Sequence, residues 1–125
     1  QAAFEEAVAY ARQRKQFGKP LAEFQATQFK VAEMSMAIDA ARLLTWRAAA
    51  LMAAGKKATR EASAAKLFAS QTANRTAFDA LQIHGGNGYI REFPVERYFR
   101  DARVTEIYEG TSEVQRLVIA REVLK

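Results

Sequence analysis

The stretch from Leu21 to Ala54, LAEFQATQFKVAEMSMAIDAARLLTWRAAALMAA, decides the fold class. Its apolar and small residues are separated by 7, 3, 4, 3, 4, 3 and 4 positions, and they are Phe24, Val31, Met34, Ile38, Ala41, Thr45, Ala48 and Met52. This heptad-like spacing is the packing pattern of an antiparallel helical bundle. Phe17-Gly18-Lys19-Pro20 precedes the stretch and Gly55 follows it, and Gly ends helices whereas Pro starts them. The stretch therefore predicts one long helix.

Helices are also predicted on both sides of this long one. Residues from Ala2 to about Arg14 repeat apolar side chains with helical period at Phe4, Val8 and Ala11. No capping residue precedes Phe4, so we expect the chain to begin inside a longer protein. Thr59 is expected to cap a helix that runs to about Ile83. Small residues form a stripe along this helix that allows close helix packing, at Ala62, Ala65, Ala69 and Ala73.

Two shorter helices complete the prediction. One runs from Pro94 to about Ala102, with Pro at the tolerated first position. The other runs from Ser112 to Val123, where Ser112 and Gln115 have the spacing of a capping box. The fold predicted is all-α, an antiparallel four-helix up-and-down bundle that forms one domain over residues 1–125.

The composition excludes several classes of protein. Half of the 125 residues are hydrophobic, which predicts a packed core. The absence of cysteine excludes disulfides and thiolate metal sites, and the single histidine, His84, cannot build a metal centre, so no metal is expected. No apolar run reaches the roughly 18 residues of a membrane span, and no leader is evident, so we expect a soluble, intracellular protein.

The net charge of +5 and the sequence pI near 9.7 favour anionic partners. Basic residues are dispersed apart from short clusters at Arg12–Lys15 and Arg97–Arg103. Because no long basic patch exists, nucleic acid is not the expected partner.

Two segments carry cations or glycines where a ligand could bind. In Arg14-Lys15-Gln16-Phe17-Gly18-Lys19, the cations could hold phosphates or simply cap helix carbonyls. In Gln82-Ile83-His84-Gly85-Gly86-Asn87-Gly88, the glycines could form an anion nest or a plain helix end. The second segment follows a helix and lacks G-x-G-x-x-G spacing, so it is not a dinucleotide fingerprint.

The segment Tyr108-Glu109-Gly110-Thr111-Ser112 places a carboxylate just before a helix. Glu109 could interact with the positive end of the helix dipole, worth about 0.3–1 kcal/mol. Alternatively, it could be a general base, because an apolar neighbour raises the pKa of a carboxyl group and a glycine admits substrate.

Taken together, these segments resemble the acyl-CoA dehydrogenase family. Arg14–Lys19 is similar to the family's R-K-x-F-G-K, Gln82–Gly88 to Q-I-x-G-G-x-G, Arg97–Arg103 to R-x-x-R-D-A-[RK], and Ile107–Arg116 to I-Y-E-G-T-S-E-x-Q-R. The resemblance covers essentially the whole chain, and the last motif is highly specific. It implies the family's C-terminal helical domain, of a short- or branched-chain type, without the N-terminal helical and middle β domains.

The resemblance implies a role for each matching residue. In the family, the glutamate at Glu109 removes the α proton of an acyl-CoA thioester, and a hydride passes from the β carbon to FAD. Gly110 lines the substrate site. FAD is contacted at the positions of Arg14, Lys15, Gln16, Phe17, Gln25, Gln82, Ile83, His84, Gly85, Gly86, Thr111, Ser112 and Glu113. Many relatives carry Gln at position 113 and Thr at position 16; Gln16 keeps a donor and an acceptor but has a different reach.

The resemblance also implies the wider setting of the protein. The full enzyme would use acyl-CoA, pass electrons to electron-transfer flavoprotein, and assemble as a homo-oligomer, a dimer or tetramer, in the bacterial cytoplasm or mitochondrial matrix. The isolated chain is expected to be inactive and to hold little FAD. Two alternatives stay open: an acyl-CoA oxidase-type relative, which passes electrons to oxygen, and a non-catalytic helical oligomerisation module.

Overall fold

The computed structural model describes all 125 residues, and most of them are helical. The five α-helices are α1 (Ala2–Gln13), α2 (Gln25–Ala53), α3 (Thr59–His84), α4 (Val95–Val104) and α5 (Ser112–Val123). Short 3-10 turns cover Leu21–Glu23 and Gly85–Tyr89. The predicted all-α class is confirmed, and no helix is long and apolar enough to cross a membrane.

Helix α3 lies at the centre and packs against each of the other four helices. The loop just before α3 meets the end of α5, where Lys57 Nζ lies 2.8 Å from Glu122 Oε2. The last turns of α3 meet the beginning of α2 at Asp79 and Lys30, and the end of α1 at His84 and Tyr10. Phe93, just before α4, also contacts His84, and the Ala102 carbonyl near the end of α4 accepts from Asn74, earlier in α3. Helices α2, α4 and α5 therefore run antiparallel to α3, whereas α1 runs parallel to it.

Small side chains fill the places where helices meet. Ala7 of α1 and Ala80 of α3 have no exposed surface, and Ala77 keeps only 2% of its own. The larger core members are Met34, which is 2% exposed, and Val95, which is fully buried. Alanine at a contact lets two helix axes approach closely. The core therefore contains few large side chains, and its packing requires short distances between the helix backbones.

The long helix differs from its prediction in two respects. It begins at Gln25 rather than Leu21, because Phe24 is extended, with φ −90° and ψ 130°. The Phe24 ring instead contacts Phe17, at 6.4 Å between centroids, and Lys19, whose Nζ lies 4.4 Å from the ring centre. Of the predicted seam, Met34 and Ala41 are buried along with Ala48, whereas Met52 is 64% exposed.

The predicted N-terminal caps of α3 and α5 were wrong. Ala58 occupies the N-cap of α3, so Thr59 is already the first helical residue and caps nothing. Thr111 caps α5, because its hydroxyl accepts from the Val114 N–H at 3.4 Å, so Ser112 and Gln115 form no capping box.

The predicted alanine stripe of α3 is only partly the buried face. Ala65 is buried and Ala69 half-buried, but Ala62 and Ala73 are exposed. Half of the ten buried positions of α3 carry small polar residues instead, namely Ser63, Ser70, Thr72, Thr76 and Asp79. Such residues can be buried in a helix because a hydroxyl can bond within it, as Ser70 Oγ does to the Leu67 carbonyl at 3.0 Å.

The break before α2 is a small β-hairpin. Strands β1 (Lys15–Gln16) and β2 (Lys19–Pro20) pair antiparallel around Phe17 and Gly18. Both loop residues have positive φ, 50° for Phe17 and 80° for Gly18, as a two-residue hairpin loop requires. The sequence predicted a break here but no strands.

A buried carboxylate joins α2 to α3. Asp79 is 1% exposed, and its two oxygens each lie 2.7 Å from a cation, Lys30 Nζ on α2 and Arg75 Nε on α3. An ionised carboxylate is costly to bury unless it is paired in this way.

We expect Asp79→Ala to lower the free energy of unfolding by about 3 kcal/mol, because it leaves the half-buried Lys30 ammonium without its partner. Asp39→Ala is the matched control, since Asp39 pairs with Arg42 on the surface and exposed pairs are worth about 1 kcal/mol or less. Urea unfolding followed by circular dichroism measures both. Equal losses in the two variants would contradict this account.

Candidate functional site

The first two predicted segments meet in one cleft of about 390 Å³. It is lined by Tyr10, Arg14, Gln16, Leu21, Ile83, His84, Gly85, Gly86 and Asn87. The cleft lies where the end of α1 meets the end of α3. Six of the predicted cofactor residues line it: Arg14, Gln16, Ile83, His84, Gly85 and Gly86.

Arg14 and Gly85 each lie at the end of a helix, and this position brings both residues to the cleft. Arg14 ends α1 with its N–H donating to the Tyr10 carbonyl at 2.8 Å, and its own carbonyl accepts from Leu21 N–H at 2.9 Å. Gly85 ends α3 in the left-handed region, at φ 59°. A Cβ added at Gly85 or Gly86 would meet nothing within 4 Å, so this backbone stays accessible to a ligand.

His84 is buried and held by three neighbours. Its Nδ1 donates to the Ala80 carbonyl at 2.8 Å, and its ring stacks on Tyr10 with centroids 4.1 Å apart. Phe93 packs edge-on at 5.7 Å. Because a carbonyl can only accept, Nδ1 carries a proton, and Nε2 of the neutral ring is left as an acceptor.

Seven predicted cofactor residues do not line this cleft, and three of them, Thr111, Ser112 and Glu113, line a separate pocket described below. Lys15, Gln25 and Gln82 are exposed on its surroundings, and Phe17 is 93% exposed at the hairpin tip. No group of three or more His, Cys, Asp or Glu side chains that could hold a metal occurs in the chain.

The predicted catalytic segment forms a strained turn before α5. Glu109 has φ 52° and Gly110 has φ 91°, so two successive residues are left-handed. For a residue with a Cβ, this region costs about 1–2 kcal/mol. Such strain persists only where surrounding contacts hold it, and it concentrates at functional sites.

Three hydrogen bonds hold the carbonyls of this turn. Gln115 Nε2 donates to the Glu109 carbonyl at 3.3 Å and to the Gly110 carbonyl at 3.2 Å. Lys66 Nζ, on α3, donates to the Gly110 carbonyl at 2.7 Å. Ser112 N–H closes the turn on the Glu106 carbonyl at 3.0 Å.

These bonds leave Glu109 facing outward. Its side chain is exposed, and its backbone N–H donates to no acceptor of the chain. A carboxylate and an uncommitted N–H on the same residue can act on one substrate, the first taking a proton and the second stabilising negative charge on an oxygen.

The remaining predicted cofactor residues, Thr111, Ser112 and Glu113, line a separate polar pocket of about 200 Å³. Its lining comprises Gln71, Arg103, Glu106, Ile107, Thr111, Ser112, Glu113 and Arg116. Ser112 Oγ is buried there without a hydrogen-bond partner. Hydrogen bonds from its own backbone N–H and from the Thr111 hydroxyl keep the pKa of Glu113 below its usual value, as expected at a helix N-terminus.

The structure does not bring all predicted cofactor residues together. Gln71 beside the polar pocket and His84 in the cleft are 13 residues apart on α3. A rise of about 1.5 Å per residue separates the two places by about 20 Å.

Sequence reasoning missed Lys66, Gln115 and Tyr10. Gln115 was assigned to a capping box, but its amide serves the Glu109 turn instead. A lysine four residues after Ala62, beside the predicted alanine stripe of α3, is the signal that could have identified Lys66. Tyr10 gave no signal, because its contacts with His84 and Asn87 depend on the folded chain.

The helical module thus presents a cation-bearing, glycine-lined cleft and a carboxylate on a left-handed turn. The chain belongs to the acyl-CoA dehydrogenase family, and residues 1–124 match the description "Acyl-CoA dehydrogenase, C-terminal domain".

Close relatives agree with this assignment. The chain is 58% identical over its full length to 3-(aryl)acrylate reductase of Clostridium sporogenes and 57% identical to the mitochondrial short-chain specific acyl-CoA dehydrogenase of Bos taurus. The structure superposes on butyryl-CoA dehydrogenase from Megasphaera elsdenii with a TM-score of 0.98 and 50% identity, over 99% of this chain and 32% of that one. The chain spans about a third of the length of the curated relatives it matches, 33% and 30% of these two.

Two further comparisons bear on cofactor and partner. A structure titled as the FAD complex of PigA matches with a TM-score of 0.94 and 29% identity, over 97% of this chain and 32% of that one. The caffeyl-CoA reductase-Etf complex subunit CarC of Acetobacterium woodii is 54% identical over the full chain, which covers 33% of its length.

We expect Gly110→Ala to destabilise the chain more than Gly55→Ala does. Both glycines have positive φ, so each alanine costs about 1–2 kcal/mol. A Cβ at Gly55 meets nothing within 4 Å, whereas one at Gly110 lies 2.7 Å from Gln115 Nε2. Moving that amide aside breaks its bonds to the Glu109 and Gly110 carbonyls, each worth about 0.5–1.5 kcal/mol. Urea unfolding midpoints measure the difference, and equal midpoints would show that the turn tolerates the side chain.

Proposed function

We propose that this chain is the C-terminal part of an FAD-dependent acyl-CoA dehydrogenase, in which Glu109 removes the α proton of an acyl-CoA thioester. The observation that carries the proposal is the Glu109 turn, which presents an exposed carboxylate and an uncommitted backbone N–H from one strained residue.

The reaction needs both groups of Glu109. A C–H next to a thioester is a weak acid, so its removal requires a base and a donor that stabilises the negative charge developing on the carbonyl oxygen. The carboxylate is the proposed base and the N–H the proposed donor. Bound FAD would accept the hydride from the β carbon, and the product is the trans-2-enoyl-CoA.

Gly110 is proposed to border the substrate. Its φ of 91° already favours glycine, and its carbonyl is turned onto Lys66 and Gln115. Because Gly110 has no side chain, space remains beside Glu109 for the thioester.

Two features of the chain fit FAD. The cleft offers the Arg14 guanidinium, the Gln16 amide and the bare backbone of Gly85 and Gly86, a donor set suited to a diphosphate. The polar pocket offers the unpaired Ser112 hydroxyl at a helix N-terminus. We propose that these two places, with the exposed residues Lys15, Phe17, Gln25 and Gln82, hold the cofactor.

The full protein is proposed to be a homo-oligomer. The cleft and the polar pocket lie about 20 Å apart along α3. They can therefore bind two different FAD molecules, one of which would be bound mainly by a neighbouring subunit. Helix α2 also exposes Phe29, Met36 and Leu43 at seven-residue spacing, 60%, 70% and 62% exposed, and an aligned apolar face marks an interaction surface. A dimer or tetramer would cover it.

The similarity to CarC supports electron-transfer flavoprotein as the redox partner. The relatives include a mitochondrial enzyme and bacterial ones, which supports the mitochondrial matrix or bacterial cytoplasm as the location.

Two relatives are named reductases, which favours a second candidate function, the reduction of a 2-enoyl thioester. The same groups can act in reverse, because a protonated Glu109 can return the α proton during reduction of an enoyl thioester. Turnover of saturated and of 2-enoyl thioesters by the full-length parent, with oxygen uptake recorded, distinguishes dehydrogenase, reductase and oxidase.

Glu109→Gln in the full-length parent is expected to lower kcat by about 10²–10⁴-fold, because the amide cannot take the proton. Glu33→Gln is the matched control, since Glu33 is an exposed glutamate of α2 outside both sites. Dye reduction with a panel of acyl-CoA thioesters measures both variants. Unchanged turnover in Glu109→Gln would leave the non-catalytic assembly module as the correct account.

A further inference from the structure

The Glu109 turn is fixed by side chains from two other parts of the fold. The carbonyls of Glu109 and Gly110 both point inward, where Gln115 of α5 donates to each and Lys66 of α3 donates to the second. Because both peptide oxygens are held inside, the Glu109 side chain and its N–H remain outside. The direction of the proposed base thus depends on these two donors.

No ion pair accounts for the position of Lys66. It is half-buried on α3, and its one hydrogen-bond partner is the Gly110 carbonyl at 2.7 Å, with no carboxylate within ion-pair distance. The comparable half-buried lysine, Lys30, is neutralised by Asp79. Placing an ammonium against a single neutral carbonyl is costly for stability alone, so this arrangement points to a role in holding the turn.

Gln115 adds a steric constraint. Its buried amide fills the space that a Cβ on Gly110 would need, at 2.7 Å from Nε2. A side chain at position 110 would therefore displace the Gln115 amide from the two carbonyls that it holds.

We propose that Lys66 and Gln115 are positioning residues for Glu109, which set the direction of its carboxylate and N–H without touching substrate. This inference rests on the proposed function. A shift of about 1 Å in a reacting group can cost on the order of 100-fold in rate, so loss of either donor should act on the chemical step.

The test uses the full-length holoenzyme with butyryl-CoA and its α-deuterated form as probes. Lys66→Met and Gln115→Met keep side-chain length and remove the donors. We expect kcat to fall about 10–100-fold, with KM within about threefold, FAD content unchanged, and a larger α-deuterium isotope effect as proton removal becomes slower. Lys66→Arg, which restores charge and donors, should recover at least part of the lost kcat.

Lys56→Met is the matched control, because Lys56 is exposed in the α2–α3 loop and contacts neither site. The positioning role is overturned if Lys66→Met keeps kcat within twofold, or if its activity falls only in parallel with FAD content. If Lys66→Met does not fold, Gln115→Met and Lys66→Arg decide the question by the same kcat and isotope measurements.

Glu109→Gln in the same parent separates the two proposals. An inactive Glu109→Gln beside a fully active Lys66→Met contradicts only the positioning role. An active Glu109→Gln contradicts the proposed function itself.

Discussion

Every other helix of this chain packs on α3, and small side chains at the contacts determine how closely they can do so. Fully buried alanines, such as Ala7 and Ala80, let backbones approach. The same helix carries the groups that need fixed positions: Asp79 against α2, His84 in the cleft, and Lys66 beneath the Glu109 turn. A displacement of α3 would therefore disturb the core, the cleft and the turn together.

Sequence periodicity predicted the helices well because it reports which residues face a neighbour. The bounds of α5 agreed with the prediction, and α3 ended one residue later than expected. Caps and turns were predicted poorly because they depend on contacts formed after folding. Thr111 rather than Ser112 caps α5, and the extended backbone of Phe24, which contacts Phe17 and Lys19, delays α2.

The candidate site was only partly accessible from sequence. Resemblance predicted roles for Glu109, Arg14 and the Gly85 loop, because these lie in contiguous motifs. It could not identify Lys66, which lies 43 positions before Glu109 and meets the turn only through the packing of α3. Nor could it show that the predicted cofactor residues divide between two places about 20 Å apart along that helix.

We expect the chain's own contacts to hold the Glu109 turn in the same conformation with and without substrate. Crystal structures of the full-length protein, with and without a non-reactive thioester analogue, measure this. Both should show positive φ at Glu109 and Gly110, with Lys66 Nζ hydrogen-bonded to the Gly110 carbonyl. A turn that adopts these angles only in the complex, or a substrate-free structure in which Lys66 points elsewhere, would contradict this expectation.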